Sequence, residues 1–99
     1  MSLRNLTVTK GIVNSMPDLL QPTMWYLVTV MKAEEKDYLQ IFEFSTVIKS
    51  GEIKQKIVHK QECPKYEKEY VISIDEPVEL KAYIIFDNNT TTMLLAEEY

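Results

Sequence analysis

The residues with chemical potential lie close together. The only His and the only Cys of this 99-residue chain are His59 and Cys63, with Glu62 between them, inside Ile53–Tyr70, IKQKIVHKQECPKYEKEY. A Cys beside a His invites a nucleophile–base reading, in which the imidazole draws off the thiol proton. The spacing opposes it. On one extended strand the two share a face yet stand about 13 Å apart, at roughly 3.3 Å per residue, beyond hydrogen-bond reach. Only a bend at Pro64 would join them, and no Ser or Asp stands out as a third member. One His and one Cys also cannot fill a structural zinc site from one chain. There is no Gly-rich phosphate loop. The expectation is therefore a protein that is not an enzyme, with no catalytic, metal or cofactor residues. His59 is expected on a half-buried strand face, bonded to Tyr66, Gln61 or backbone.

Charge bounds the partners. The net charge of −4 argues against non-specific nucleic-acid binding, because phosphate contacts need Lys and Arg. Lys54, Lys56 and Lys60 still form a basic strand face, and Tyr66 and Tyr70 offer rings for base stacking. Nucleic-acid binding through that face is one alternative reading. The polar start after Met1 is no signal peptide, and Met1-Ser2-Leu3 reads as a vector-derived start, so residues 1–4 are set apart from a single domain over 5–99. The longest apolar stretch, Met24 to Met31, is too short to span a bilayer. A single Cys excludes an internal disulfide, which fits a cytoplasmic protein.

The elements that position these residues follow from periodicity. Leu6, Val8 and Ile12 alternate with Thr7, Thr9 and Gly11, predicting a first strand over about Asn5–Val13. Asp18 is a fitting helix cap, and Pro22 suits the first turn of a helix running to about Glu35. Its apolar stripe is Leu20, Met24, Leu27 and Met31, with Leu19, Thr23 and Val30 alongside. Trp25 falls on the opposite side with Gln21, Thr29 and Lys32. Strands are then predicted over Tyr38–Phe44, Ile53–Glu62, Tyr66–Ile74, Val78–Asp87 and Thr91–Glu97, with turns at Ser50-Gly51, Cys63-Pro64-Lys65, Asp75-Glu76-Pro77 and Asp87–Thr90. The predicted architecture is α+β: one helix on a mostly antiparallel sheet of five to six strands, in the order β-α-β-β-β-β-β. Tyr83, Ile85, Leu94 and Ala96 make part of the second sheet face apolar, so a second copy of the chain is the simplest cover and a homodimer is expected.

These features favour a small protein-interaction or oligomerisation module, whose partner is another protein or the chain itself. Interfaces are enriched in Trp and Tyr, so the candidate surface is Trp25, Tyr38, His59, Glu62, Tyr66 and Tyr83. A small-ligand pocket near Tyr38, His59 and Tyr66 is the second reading.

Three segments carry a family resemblance: Asp37–Glu43 (DYLQIFE), Lys56–Glu62 (KIVHKQE) and Thr92–Tyr99 (TMLLAEEY). They resemble a family of small uncharacterised proteins, a domain of unknown function, from low-GC Gram-positive bacteria such as staphylococci and streptococci. The resemblance runs from Thr9-Lys10-Gly11-Ile12 to the C-terminal segment. Pro22 and Cys63 depart from its pattern, and the second departure puts a catalytic thiol further in doubt. The resemblance implies a cytoplasmic bacterial protein and no activity, cofactor or substrate.

Overall fold

The computed structural model describes residues 5–99; residues 1–4, the expected vector-derived start, lie outside the described residues. The chain runs β1 (Leu6–Val8), α1 (Lys10–Ser15), α2 (Leu20–Val30), β2 (Leu39–Lys49), β3 (Glu52–Gln61), β4 (Tyr66–Ile72), β5 (Leu80–Phe86), β6 (Thr91–Leu95) and a closing 3-10 turn, Ala96–Glu98. The six strands form one sheet in the order β1-β6-β5-β2-β3-β4. β1 lies parallel to β6, and the other four pairings are antiparallel. This is the expected α+β architecture, a helix on a mostly antiparallel sheet. At the β2–β3 hairpin Ser50 (φ 53°) and Gly51 (φ 78°) both take the left-handed region that a two-residue turn of this hand requires.

The N-terminal reading needs correction. The strand stops at Val8 and a short helix replaces its second half. Thr9 caps that helix through its hydroxyl, which accepts from the Ile12 N–H. A carboxylate from the far end of the sequence completes the turn. Glu98 accepts from the Thr9 hydroxyl (2.6 Å), the Gly11 N–H (3.2 Å) and the Leu95 N–H (2.8 Å). A Cβ on residue 11 would meet the Glu98 carboxyl at 2.5 Å, so this close approach favours glycine. Ile12 and Met16, four residues apart, turn one face of the segment into the core.

Helix α2 also departs from its predicted outline. Asp18 does not cap it; Leu19 stands at that position without a side-chain bond. The helix ends at Val30 rather than Glu35, because Met31 turns extended (ψ 141°) after its N–H bonds the Leu27 carbonyl. The predicted stripe Leu20, Met24, Leu27 and Met31 is buried, with Val28 beside it, while Leu19 and Val30 are exposed. The helix is thus rolled toward the flank of Val28 and Trp25, which are neighbours three residues apart. Trp25 is half-buried and packs on the core, and Tyr26 is the aromatic that faces outward, 63% exposed. Rolling this way removes more apolar surface from water than burying Thr23 and Val30 would.

Beneath the helices lie Phe42, Phe44, Ile57, Ala82, Ile84, Met93 and Leu95, alternate residues of four strands. Gln55 shares this face and is fully buried. Its amide replaces a strand partner for Val78, accepting from the Val78 N–H at 2.8 Å and donating to the Val78 carbonyl at 3.1 Å, and it also donates to the Ser45 carbonyl at 2.8 Å. On the second face Ile41 and Leu94 are buried within the single chain, and Tyr83, Ile85 and Ala96 are half-buried. Ile41 is flanked in register by Lys60 and Tyr83, and the Tyr99 ring closes edge-on over Tyr83 at 5.4 Å. No second chain is needed to hide Ile41 and Leu94.

The rolled helix separates three neighbouring substitutions. Leu27→Ala is expected to cost about 2–5 kcal/mol, the range for a buried Leu. Trp25→Ala is expected to cost about 2 kcal/mol or more, and Tyr26→Ala less than about 0.5 kcal/mol. Urea melts of the three variants give the order, and a neutral Trp25→Ala would refute the packing described.

Candidate functional site

At one end of the sheet three polar side chains, Gln40, His59 and Gln61, are sealed inside. Gln61 is the root of the network. Its amide nitrogen meets two carbonyls, Glu35 at 2.9 Å and Pro64 at 2.8 Å, so its oxygen must point the other way. That oxygen accepts from the Asp37 N–H (2.8 Å) and from the Gln40 amide nitrogen (2.7 Å), which also donates to the Asp37 carbonyl (2.9 Å). The Gln40 oxygen is then left to face His59 Nε2 at 2.7 Å. An amide oxygen only accepts, so Nε2 carries the imidazole proton and Nδ1 is the bare acceptor. Nδ1 has no hydrogen-bond partner among the described residues.

His59 is fully buried, stacked on Phe42 at 4.4 Å and met edge-on by Tyr66 at 5.4 Å. Burial, and secondarily the nearby charge of Lys36, lower its pKa to about 4. A second proton would place a charge and an unmatched donor in an apolar setting.

The structure brings together only some of the expected residues. His59, expected half-buried and bonded to Tyr66, Gln61 or backbone, is fully buried with Gln40 as its direct polar partner, and Tyr66 touches it only edge-on with its ring. Cys63 is exposed in the β3–β4 turn, on the N-terminal side of a cis Cys63–Pro64 peptide, while His59 lies inside. Tyr38 is exposed and turns to Tyr99, whose hydrogen bond is the main cause of its raised pKa. None of the hollows among the described residues is lined by both Tyr38 and His59. Glu62 and Tyr66 do line one hollow of about 360 Å³, with Ile41, Lys60, Lys65 and Glu67. Tyr83 lies on the second face beneath Tyr99, and Trp25 is on the core. Among the described residues no group of three or more His, Cys, Asp and Glu converges as a metal site.

The basic strand face proves to be neutralised. Lys54 pairs with Glu52 (3.6 Å), Lys56 with Glu69 (3.4 Å) and Lys60 with Glu43 (3.1 Å), which also receives Lys81 at 3.9 Å. Such exposed pairs add little stability, yet they cancel the field that would draw phosphates.

A different surface combines free charge with aromatic rings. Between α2 and β4 runs a cleft of about 340 Å³, lined by Tyr26, Leu27, Val30, Lys32, Tyr66, Lys68 and Tyr70. Tyr66, Lys68 and Tyr70 alternate on β4, so they point to the helix side together. Burial, then a hydrogen bond with Tyr66, pushes the Tyr70 pKa up to about 12. Lys68 lies over the Tyr70 ring at 5.7 Å, and neither Lys68 nor Lys32 has a carboxylate within ion-pair distance among the described residues. β4 ends the sheet, and its outer backbone edge has no strand partner among the described residues. Tyr26, Lys32 and Lys68 were absent from the sequence-derived candidates. The alternation of Tyr66, Lys68 and Tyr70 was a usable signal; the seating of α2 beside β4, which sets Tyr26 at the cleft, was not.

Fold and cleft together define a helix-on-sheet α+β protein with an open edge strand. Residues 6–98 match the family described as a staphylococcal protein of unknown function (DUF960), and the chain belongs to that family. The crystal structure of a protein of unknown function from Enterococcus faecalis is similar, with a TM-score of 0.79 and 19% sequence identity over 97% of this chain and 91% of that one. At that identity the likeness establishes the shared fold. No curated protein matches the chain. Among the described residues no helix is long and apolar enough to cross a membrane.

The depressed His59 pKa fixes a sign. The unfolded chain binds a proton near pH 6.5 and the folded chain only near pH 4. Stability therefore falls as pH drops from 6.5 to about 4, by about 3 kcal/mol in all. In His59→Leu this fall is expected to vanish, while stability at pH 7 drops by about 1–3 kcal/mol because the Gln40 oxygen loses its donor. Denaturant melts at several pH values check both, and an unchanged slope in the variant would rule out His59 as the titrating group.

Proposed function

We propose that the chain is a non-enzymatic protein-interaction module whose working surface is the free edge of β4 with the adjoining α2 cleft. The observation that carries this reading is the pairing of an unpartnered seven-residue strand edge with a tyrosine-lined cleft directly beside it. An extended segment adding to such an edge gains main-chain hydrogen bonds, and its alternate side chains enter the cleft. Tyr is well suited to the task, since it covers a large area with only two rotatable side-chain bonds. The absence of enzymatic chemistry in this proposal rests on His59, walled in with Nε2 committed to Gln40, and on Cys63, placed outside in a turn. A nucleic-acid role draws less support because Lys54, Lys56 and Lys60 are each ion-paired. A ligand pocket shared by Tyr38, His59 and Tyr66 draws less support because Tyr38 faces Tyr99.

Selection of short peptides from a random displayed library, followed by amide-shift mapping on the labelled domain, tests the proposal. Bound peptides are expected to move the signals of Tyr66–Ile72, Tyr26 and Val30, and Tyr26→Ala is expected to weaken them about tenfold, as loss of a contact residue worth about 1.4 kcal/mol does. Failure to select any binder, or shifts confined to other strands, would sink it.

A further inference from the structure

Resting on that reading, the side chains of β4 specify the chemistry of the partner. A strand laid on the free edge places its residues opposite those of β4, one face at a time. On the helix side it meets Tyr66, Lys68 and Tyr70, and on the other side Glu67 and Glu69. The tyrosines call for apolar residues. Lys68, with Lys32 across the cleft, calls for a carboxylate. Glu67 has no ion-pair partner among the described residues and calls for a cation; Glu69, more than half exposed, has one carboxylate oxygen on Lys56 at 3.4 Å and its other oxygen open to a second cation, as Glu43 serves both Lys60 and Lys81. We infer that the edge of β4 recognises an extended segment of another protein with the order apolar, basic, acidic, basic, apolar. The pattern is a palindrome, so it suits a parallel or an antiparallel partner equally.

The same charges argue against a second copy pairing through β4. A two-fold pairing centred on Lys68 sets Lys68 against Lys68 and Glu67 against Glu69. Centring on Glu69 sets Glu69 against itself, and centring on Glu67 does the same there. Like charges directly opposite destabilise a strand pair. The registers centred on Tyr66 and Tyr70 avoid this, but the first leaves Lys68 facing Pro64 and Glu69 facing Cys63 and the second leaves Lys68 facing Ile72 and Glu69 facing Val71, with neither charge answered in either. A heterologous partner can answer all three charges.

The test uses two synthetic probes and one charge-swapped protein. One peptide has Val-Lys-Glu-Lys-Val at its centre and the other Val-Glu-Lys-Glu-Val. The whole chain is expected to bind the first at least about tenfold more tightly by calorimetry, since three cross-strand ion pairs become three repulsions in the second. The triple variant E67K/K68E/E69K is expected to reverse that preference, and high salt to shrink it in both proteins. Residues 67–69 are exposed, and melting curves of the variant establish that it folds. Lys68→Glu alone serves if the triple variant does not, with the expectation that it reduces the preference. Equal affinity for the two peptides, or a preference unmoved by the swap, overturns the inference. So does a concentration-dependent dimer that protects the β4 amides, which would make a second copy the occupant. If selected peptides of another pattern shift the β4 signals, the module reading stands and the charge pattern alone falls. If no peptide moves those signals, both fall.

Discussion

Buried amide side chains hold the irregular parts of this chain to its sheet. A glutamine amide offers the same acceptor and donor as a peptide group, with one donor to spare. Gln55 answers both backbone groups of Val78, as a neighbouring strand would. Gln61 and Gln40 do the same for the connection between α2 and β2, taking the Glu35 carbonyl and both backbone groups of Asp37. Neither connection belongs to a strand, yet each runs against the buried face and needs partners there. His59 is the terminus of this scheme. Its proton position is dictated, through two amides, by the carbonyls of Glu35 and Pro64.

Much of the sheet was legible from residue alternation. A period of two splits β3 into a face of Lys54, Lys56, Val58 and Lys60 and a face of Ile53, Gln55, Ile57, His59 and Gln61; the structure shows that alternation and buries the second face except for Ile53, exposed beside the hairpin turn. Ser50-Gly51 marked its hairpin for an equally local reason. What stayed hidden depends on distant partners. The change from strand to helix after Val8 requires Glu98, 89 residues beyond Thr9. The roll of α2 is decided by which flank the sheet accepts, and two apolar flanks compete in Leu20–Val30. The buried roles of Gln40 and Gln55 were not legible in the sequence, and Gln61 only as a partner of His59, since an amide finds its buried partners only once the connections have folded over it.

The two edges of the sheet are treated differently. β1 is three residues long and pairs in parallel with β6, so little of it is open to another strand. β4 is seven residues long and carries Glu67, Lys68 and Glu69 in succession. Charges on an edge ordinarily discourage indiscriminate pairing. Alternating in sign, they also set a condition that a complementary strand can meet. On the proposed reading, resistance to indiscriminate pairing and selectivity draw on the same side chains, and Glu69 also joins the lysine–glutamate pairing of the second face through Lys56.

The carboxylate that finishes helix α1 has a consequence for how the protein is made. Thr9 and Gly11 leave the ribosome early, and the group that closes their turn is added 89 and 87 residues later. At about 5–20 residues per second that interval is on the order of ten seconds. β1 waits as long, because its pairing partner is β6. During synthesis the N-terminal segment is thus a nascent tether, whereas the β2–β3 hairpin, built from neighbours in sequence, can organise before β6 is made.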